Sequence, residues 1–129
     1  MIAHVALVYA VYALVSSRRV GAVRAGRVDA AVFRERRAEP DESVSAVNNL
    51  ANQFELPVLF HLVCLCFFVT EGVSALVLAL AWAFVVSRYL HTFVHVGGNR
   101  LRHRRPIFIA GFVVVALMWL LFAWRIATT

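Results

Sequence analysis

The chain has little of what a water-soluble domain depends on. Only 16% of its 129 residues are charged against 62% hydrophobic, with a mean hydropathy of +0.78, a balance that excludes an ordinary soluble fold. Lysine is missing altogether: all thirteen basic residues are arginine. No basic residue precedes the first apolar run, so the positive end of a secretory signal is absent and the run is expected to stay as a helix. Cysteine is scarce, and Cys64 and Cys66 stand two apart on one apolar run. On a helix that spacing sends their thiols to roughly opposite faces, which excludes a mutual disulfide or a shared metal. Internal repeats and low-complexity tracts are also lacking.

What is present is four apolar runs, at roughly 1–17, 49–69, 73–97 and 106–124, each close to the ~20 residues a helix needs to cross ~30 Å of hydrocarbon. The expected fold is an all-α membrane protein: one domain, a four-transmembrane-helix bundle with helices at about 1–17, 44–70, 73–98 and 106–126 and a loop over 18–43. Pro106 suits the first turn of the last helix. Arg18, Arg19, Arg24, Arg27, Arg34, Arg36 and Arg37 fall between the first two runs, and Arg100, Arg102, Arg104 and Arg105 between the last two, whereas the link "TEGVS" has none. Both arginine-rich loops are therefore expected to be cytoplasmic and both termini non-cytoplasmic. Arginines beside spans set topology or meet anionic headgroups, so the partner expected from a pI near 10.7 is the lipid bilayer and no nucleic acid. Within the long loop the arginines are largely offset by acids, and "PDES" reads as a helix start, with Asp41, Glu42 and Ser43 at the positive end of the helix dipole.

Polar residues inside the spans are costly and normally face a partner, a cavity or water. Asn48, Asn52 and Glu55 are spaced four and three apart, which stacks them on one face of the second helix. Arg88, His91, His95, Asn99 and Arg102 form a matching stripe on the third. Counting about 1.5 Å per residue from the membrane edge puts Glu55 about 14 Å deep and Arg88 about 15 Å deep. The expected arrangement is a ladder of facing pairs, Glu55 with Arg88, Asn52 with His91 and Asn48 with His95, in which Arg88 neutralises Glu55.

Such a ladder has plainer readings. A Glu–Arg pair with amide and imidazole neighbours can simply fix helix register, leaving a non-catalytic scaffold. A small proton-coupled transporter would use Glu55. His91 and His95 lack further ligands for a metal, since His4, His61 and His103 fall at other depths or faces, so no metal site is expected. A stripe that widens toward water resembles the wall of a cleft for an anionic ligand.

The runs "NNLANQFELPVLF" and "RYLHTFVHVGGNRLR" resemble the two signature helices of the MAPEG family, the membrane-associated proteins in eicosanoid and glutathione metabolism, and in particular its bacterial branch. The resemblance implies a bacterial inner-membrane protein that assembles as a homotrimer and binds glutathione as co-substrate between subunits. It implies a membrane glutathione S-transferase-like activity on a lipophilic small molecule, in which Arg102 stabilises the thiolate. Asn48, Asn52, Glu55, Arg88, His91, His95 and Arg18 (or Arg19) would contact the tripeptide. Asn48 stands where the family's helix-two pattern has an arginine, and His91 and His95 stand where well-studied members have tyrosines.

Overall fold

The computed structural model describes residues 1–34, 39–98 and 100–128. Its elements are α1 (Ile2–Arg24), a short 3-10 helix (Ala30–Arg34), α2 (Asp41–Asn52), α3 (Leu56–Val69), α4 (Ala75–Val96) and α5 (Leu101–Thr128). α1, the pair α2–α3, α4 and α5 are each long and apolar enough to span a bilayer. Phe68, Phe93, Leu120 and Trp124 point outward, as suits side chains solvated by acyl chains rather than water.

α1 runs past the expected stop at residue 17, since a single interior glycine, Gly21, does not end a helix, and it turns only at Gly26. There the Gly26 N–H bonds the Val23 carbonyl and the Arg27 N–H the Ala22 carbonyl, 2.9 and 3.1 Å, with Gly26 at φ +66°. This is a Schellman ending, and its left-handed position favours glycine. The last helix starts earlier than expected, at Leu101, so Pro106 lies one turn inside it. Arg102 therefore belongs to α5. α4 stops at Val96 before Gly97 and Gly98, so the expected continuous stripe from Arg88 to Arg102 ends at His95; Asn99 lies outside the described residues, as do Arg36 and Arg37 of the loop.

The expected second helix is two helices. Pro57 has no N–H for the Gln53 carbonyl, and its ring crowds that carbonyl; the chain breaks over Gln53, Phe54 and Glu55 and restarts at Leu56 with Pro57 in the first turn of α3. The break lies inside the span, where unpaired backbone groups need partners from the protein itself.

Two apolar clusters hold the bundle. Phe60 and Phe84 stack at 4.3 Å between ring centres, and Val63, Phe67, Val115 and Met118 pack around them, joining α3, α4 and α5. Leu7, Val11 and Val15 of α1 pack on Ala46 of α2. α4 and α5 meet closely at Gly111, where a Cβ would stand 2.8 Å from the Ser87 hydroxyl; a larger residue there forces at least that hydroxyl to move.

Candidate functional site

The break in the second span is closed by Arg88. Its Nη2 donates to the Asn52 carbonyl at 3.2 Å and to Gln53 Oε1 at 3.4 Å. A guanidinium at the carbonyl end of α2 also suits the negative end of that helix dipole. From Gln53 a hydrogen-bonded network spreads through the bundle. Gln53 Nε2 donates to Asn49 Oδ1 and to Thr92 Oγ1, both at 3.0 Å, and Thr92 Oγ1 donates to Asn49 Oδ1 at 3.2 Å. Asn49 Nδ2 reaches His95 Nδ1 at 3.3 Å. On the other side His4 Nε2 reaches Gln53 Oε1, and His4 Nδ1 reaches His61 Nε2, each at 3.1 Å. Arg88, Asn49, Gln53, Thr92, His4 and His95 are all buried. Among the described residues, the buried polar atoms left without a hydrogen bond are Arg88 Nε, His91 Nδ1 and Trp119 Nε1.

The ladder thus exists at the expected height but with different rungs. Asn49 meets His95, and Gln53 meets Thr92 and Arg88, in place of the expected Asn48–His95, Asn52–His91 and Glu55–Arg88 pairs. One residue turns a helix by about 100°, so a shift of one position moves the whole set to another face. The buried face of α2 runs through Ser43, Ala46, Asn49 and then Gln53. Small Ala46 packs against Leu7, Val11 and Val15 of α1, which fixes the rotation and carries Asn48 outward. Glu55, at the break, is exposed and near enough to act on Arg88 only through its field; among the described residues the ion pairs are Arg19–Glu39 and Arg27–Glu42. Burial of the Arg88 guanidinium is thus supported by carbonyl oxygens rather than by the expected carboxylate.

The remaining expected site residues divide. His91 is buried, its ring 5.4 Å from that of His95 and 5.9 Å from Phe108. Asn52 is half-buried and offers its backbone oxygen to Arg88. Arg18 donates through Nη1 to the Glu42 carbonyl and to the Ser45 hydroxyl, and through Nη2 to the Val96 carbonyl at 3.1 Å, pinning α1 to α2 and to the end of α4. Arg102 is exposed on the first turn of α5.

Asn48 opens instead onto a cleft of about 750 Å³ between α1, the 3-10 segment and α2, lined in part by Ser16, Arg19, Phe33, Glu39 and Phe54. Arg19 grips Glu39 through both Nε, at 2.9 Å, and Nη2, and lies 5.1 Å from the centre of the Phe33 ring. This fork, with a further hydrogen bond from the Ser43 hydroxyl, holds the Glu39 carboxyl below the usual carboxylate range. Guanidinium and carboxylate stand side by side at the arginine-rich end of the bundle, beside the primary amide of Asn48. Toward the other end the edge-to-face pair of Tyr12 and Phe54, 6.3 Å between ring centres, separates this cleft from a second groove.

His4, His61, Asn49, Gln53 and Thr92 escape the stripe analysis. His4 and His61, expected only to lie away from His91 and His95, are bonded to each other. One signal was available for the rest: Ser43 and Ala46 continue at helical spacing to Asn49 and Gln53, and small residues mark the face on which helices approach.

The sequence model of the MAPEG family matches residues 1–124. No curated protein and no solved structure matches the chain.

Proposed function

The chain belongs to the MAPEG family, an integral membrane protein of the glutathione and eicosanoid metabolism group, and from that premise we propose that it binds glutathione in the Asn48 cleft and conjugates it to a lipophilic electrophile. The observation that carries the reading is the half-buried Arg19–Glu39 pair lining a cleft of about 750 Å³, a volume typical of small-molecule sites. Its two charges match the carboxylate and ammonium of a γ-glutamyl end, and Asn48 supplies amide hydrogen bonds to a peptide backbone. Asn52 and Glu55 extend the same flank of the second span. Arg88 and His95 act as positioning residues, holding the broken span against α4, while His91 packs beside His95 and Phe108.

The chemistry is thiolate activation. A guanidinium near the sulfur favours the charged form of a thiol whose ordinary pKa is about 8.5. The thiolate lone pair then forms the carbon–sulfur bond as the leaving group departs with its electron pair. Arg102 takes this part, from a neighbouring copy of the chain in a homotrimer that closes the open side of the cleft. Arg18 keeps α1 in place. The arginine-rich end faces the cytoplasm of a bacterial inner membrane, with both termini on the far side.

Thermal unfolding of the full chain in detergent tests binding: millimolar glutathione is expected to raise the midpoint, and Arg19→Ala or Asn48→Ala to abolish the rise. No rise for the wild type removes the proposal. Turnover of a chlorinated nitroarene tests the chemistry, with Arg102→Ala expected to lower kcat and leave the midpoint unchanged.

A further inference from the structure

The second groove, about 430 Å³, lies on the same face as the cleft but deeper, between α1 and the break in the second span. Its walls are apolar, including Val5, Val8, Tyr9 and Val58, and its polar floor is His4, Gln53 and His61. From Arg18 to His4 the rise along α1 is about 21 Å, so the floor stands well inside the hydrocarbon.

The hydrogen bonds dictate which kind of group this floor presents. Arg88 can only donate, so the Gln53 atom it touches is the amide oxygen. His4 Nε2, bonded to that same oxygen, must carry its proton. In a neutral ring the other nitrogen then accepts, so His4 Nδ1 accepts from His61 Nε2. His61 in turn is left with Nδ1 as an acceptor. Among the described residues nothing bonds to that atom, and it is not sealed from the surface. Water is scarce at this depth, and a lone acceptor there gains more from a donor than it would in water.

We infer that this groove binds a lipophilic molecule carrying a hydroxyl donor, of the phenol or quinol class, with the hydroxyl on His61 Nδ1 and the apolar part along Val5, Tyr9 and Val58. A ketone, ether or ester of the same size brings only acceptors and finds no partner on the floor. The site needs no glutathione and stands or falls apart from the conjugation chemistry. It lies behind Tyr12 and Phe54, so an occupant touches the ring pair that divides the two cavities.

The test compares 4-octylphenol with its methyl ether, 4-octylanisole, against the full chain in lipid nanodiscs without glutathione. The readouts are thermal midpoint and protection from a diazirine-bearing alkylphenol whose crosslinks are mapped by peptide mass spectrometry. The phenol is expected to bind about tenfold more tightly than the ether, the scale of one hydrogen bond, with crosslinks confined to the segments around Tyr9 and Val58. His61→Phe alone would free His4 Nδ1 as a second acceptor on the same floor, so the double variant His4→Phe, His61→Phe, which has neither imidazole, is the one expected to bring the two probes level. Val58→Trp fills the groove and is expected to abolish protection by both, which keeps the test decisive if the double variant does not fold. Equal binding of phenol and ether to the wild type overturns the inference. So do crosslinks elsewhere, or no crosslink near Tyr9 or Val58 together with no effect of either probe on the midpoint, the pattern of a groove covered by a second copy.

Discussion

Asn48 and Asn49 are neighbours in the chain, yet they belong to two regions with different physics. Asn49 lies in the buried network with Gln53, Thr92, Arg88 and His95, where protein atoms meet most of the hydrogen-bonding groups. Asn48 opens onto the cleft with Ser16, Arg19 and Glu39, where polar atoms line a space large enough for a ligand. Polar side chains within a membrane span are often read together as one functional set. Here one set holds a broken helix together and the other is free to recognise something. The two asparagines separate by whether the amide already has partners, as Asn49 does in His95, Gln53 and Thr92, and not by how polar they are.

The sharpest way to break this division is Arg88→Leu. The substitution removes a buried charge, which is favourable on its own, but leaves the Asn52 carbonyl unpaired inside the span and takes one donor from Gln53. Hydrogen bonds from charged groups are worth about 1.5–3 kcal/mol each, so we expect a net destabilisation of about 2 kcal/mol, read from reversible unfolding in mixed micelles. A variant as stable as the wild type would mean that the break is held by other contacts and that Arg88 is free for another task.

Next in size is the pair Asn49→Leu and Asn48→Leu. Loss of Asn49 leaves Gln53, Thr92 and His95 short of partners and is expected to cost about 1–3 kcal/mol with glutathione stabilisation of the remaining folded protein intact. Loss of Asn48 is expected to change stability by less than about 0.5 kcal/mol and to remove the glutathione effect. Reversal of the two outcomes would restore the register expected from the spacing of Asn48, Asn52 and Glu55.

That register shows where legibility stops. Apolar runs and arginine clusters suffice to locate four spans, because hydrocarbon thickness and the cost of charge constrain them directly. The height of the ladder was legible too, since helical rise is constant. Rotation about the helix axis is not set by the polar residues. It depends on Ala46 packing against α1, a tertiary contact, and two asparagine–x3–polar series one residue apart, 48–52 and 49–53, are equivalent until that contact chooses between them. The break at Gln53 was signalled by Pro57. Its consequence, a carbonyl for Arg88 in place of the Glu55 carboxylate, needed the three-dimensional arrangement. His4 and His61 lie 57 positions apart, and no periodicity relates them.

On the outward side, Arg19→Met sharpens the contrast with Arg88. Arg19 is partly exposed and its pair with Glu39 is a surface contact, worth about 0.2–1 kcal/mol by the usual range for such pairs. The expected loss of stability is within that range, while glutathione stabilisation disappears. A loss of the size expected for Arg88→Leu would place Arg19 among the structural groups and leave the cleft without its cation.

The smallest effect is in the pH dependence. Glu39 is held below its ordinary pKa of about 4.5, first by the Arg19 hydrogen bonds and then by that from Ser43. A depressed carboxyl stabilises the fold fully above the unfolded value and loses that contribution as pH falls through the lower folded value. The unfolding midpoint of the wild type should therefore hold steady above about pH 5 and decline below about 4.5, whereas Glu39→Gln starts slightly lower and shows less of that decline. Arg88 has no ion-pair partner among the described residues, so Arg88→Leu should retain the acid decline in full. An Arg88→Leu protein with a flat acid limb would show that the acid decline comes from the buried guanidinium's surroundings and not from the Glu39 fork.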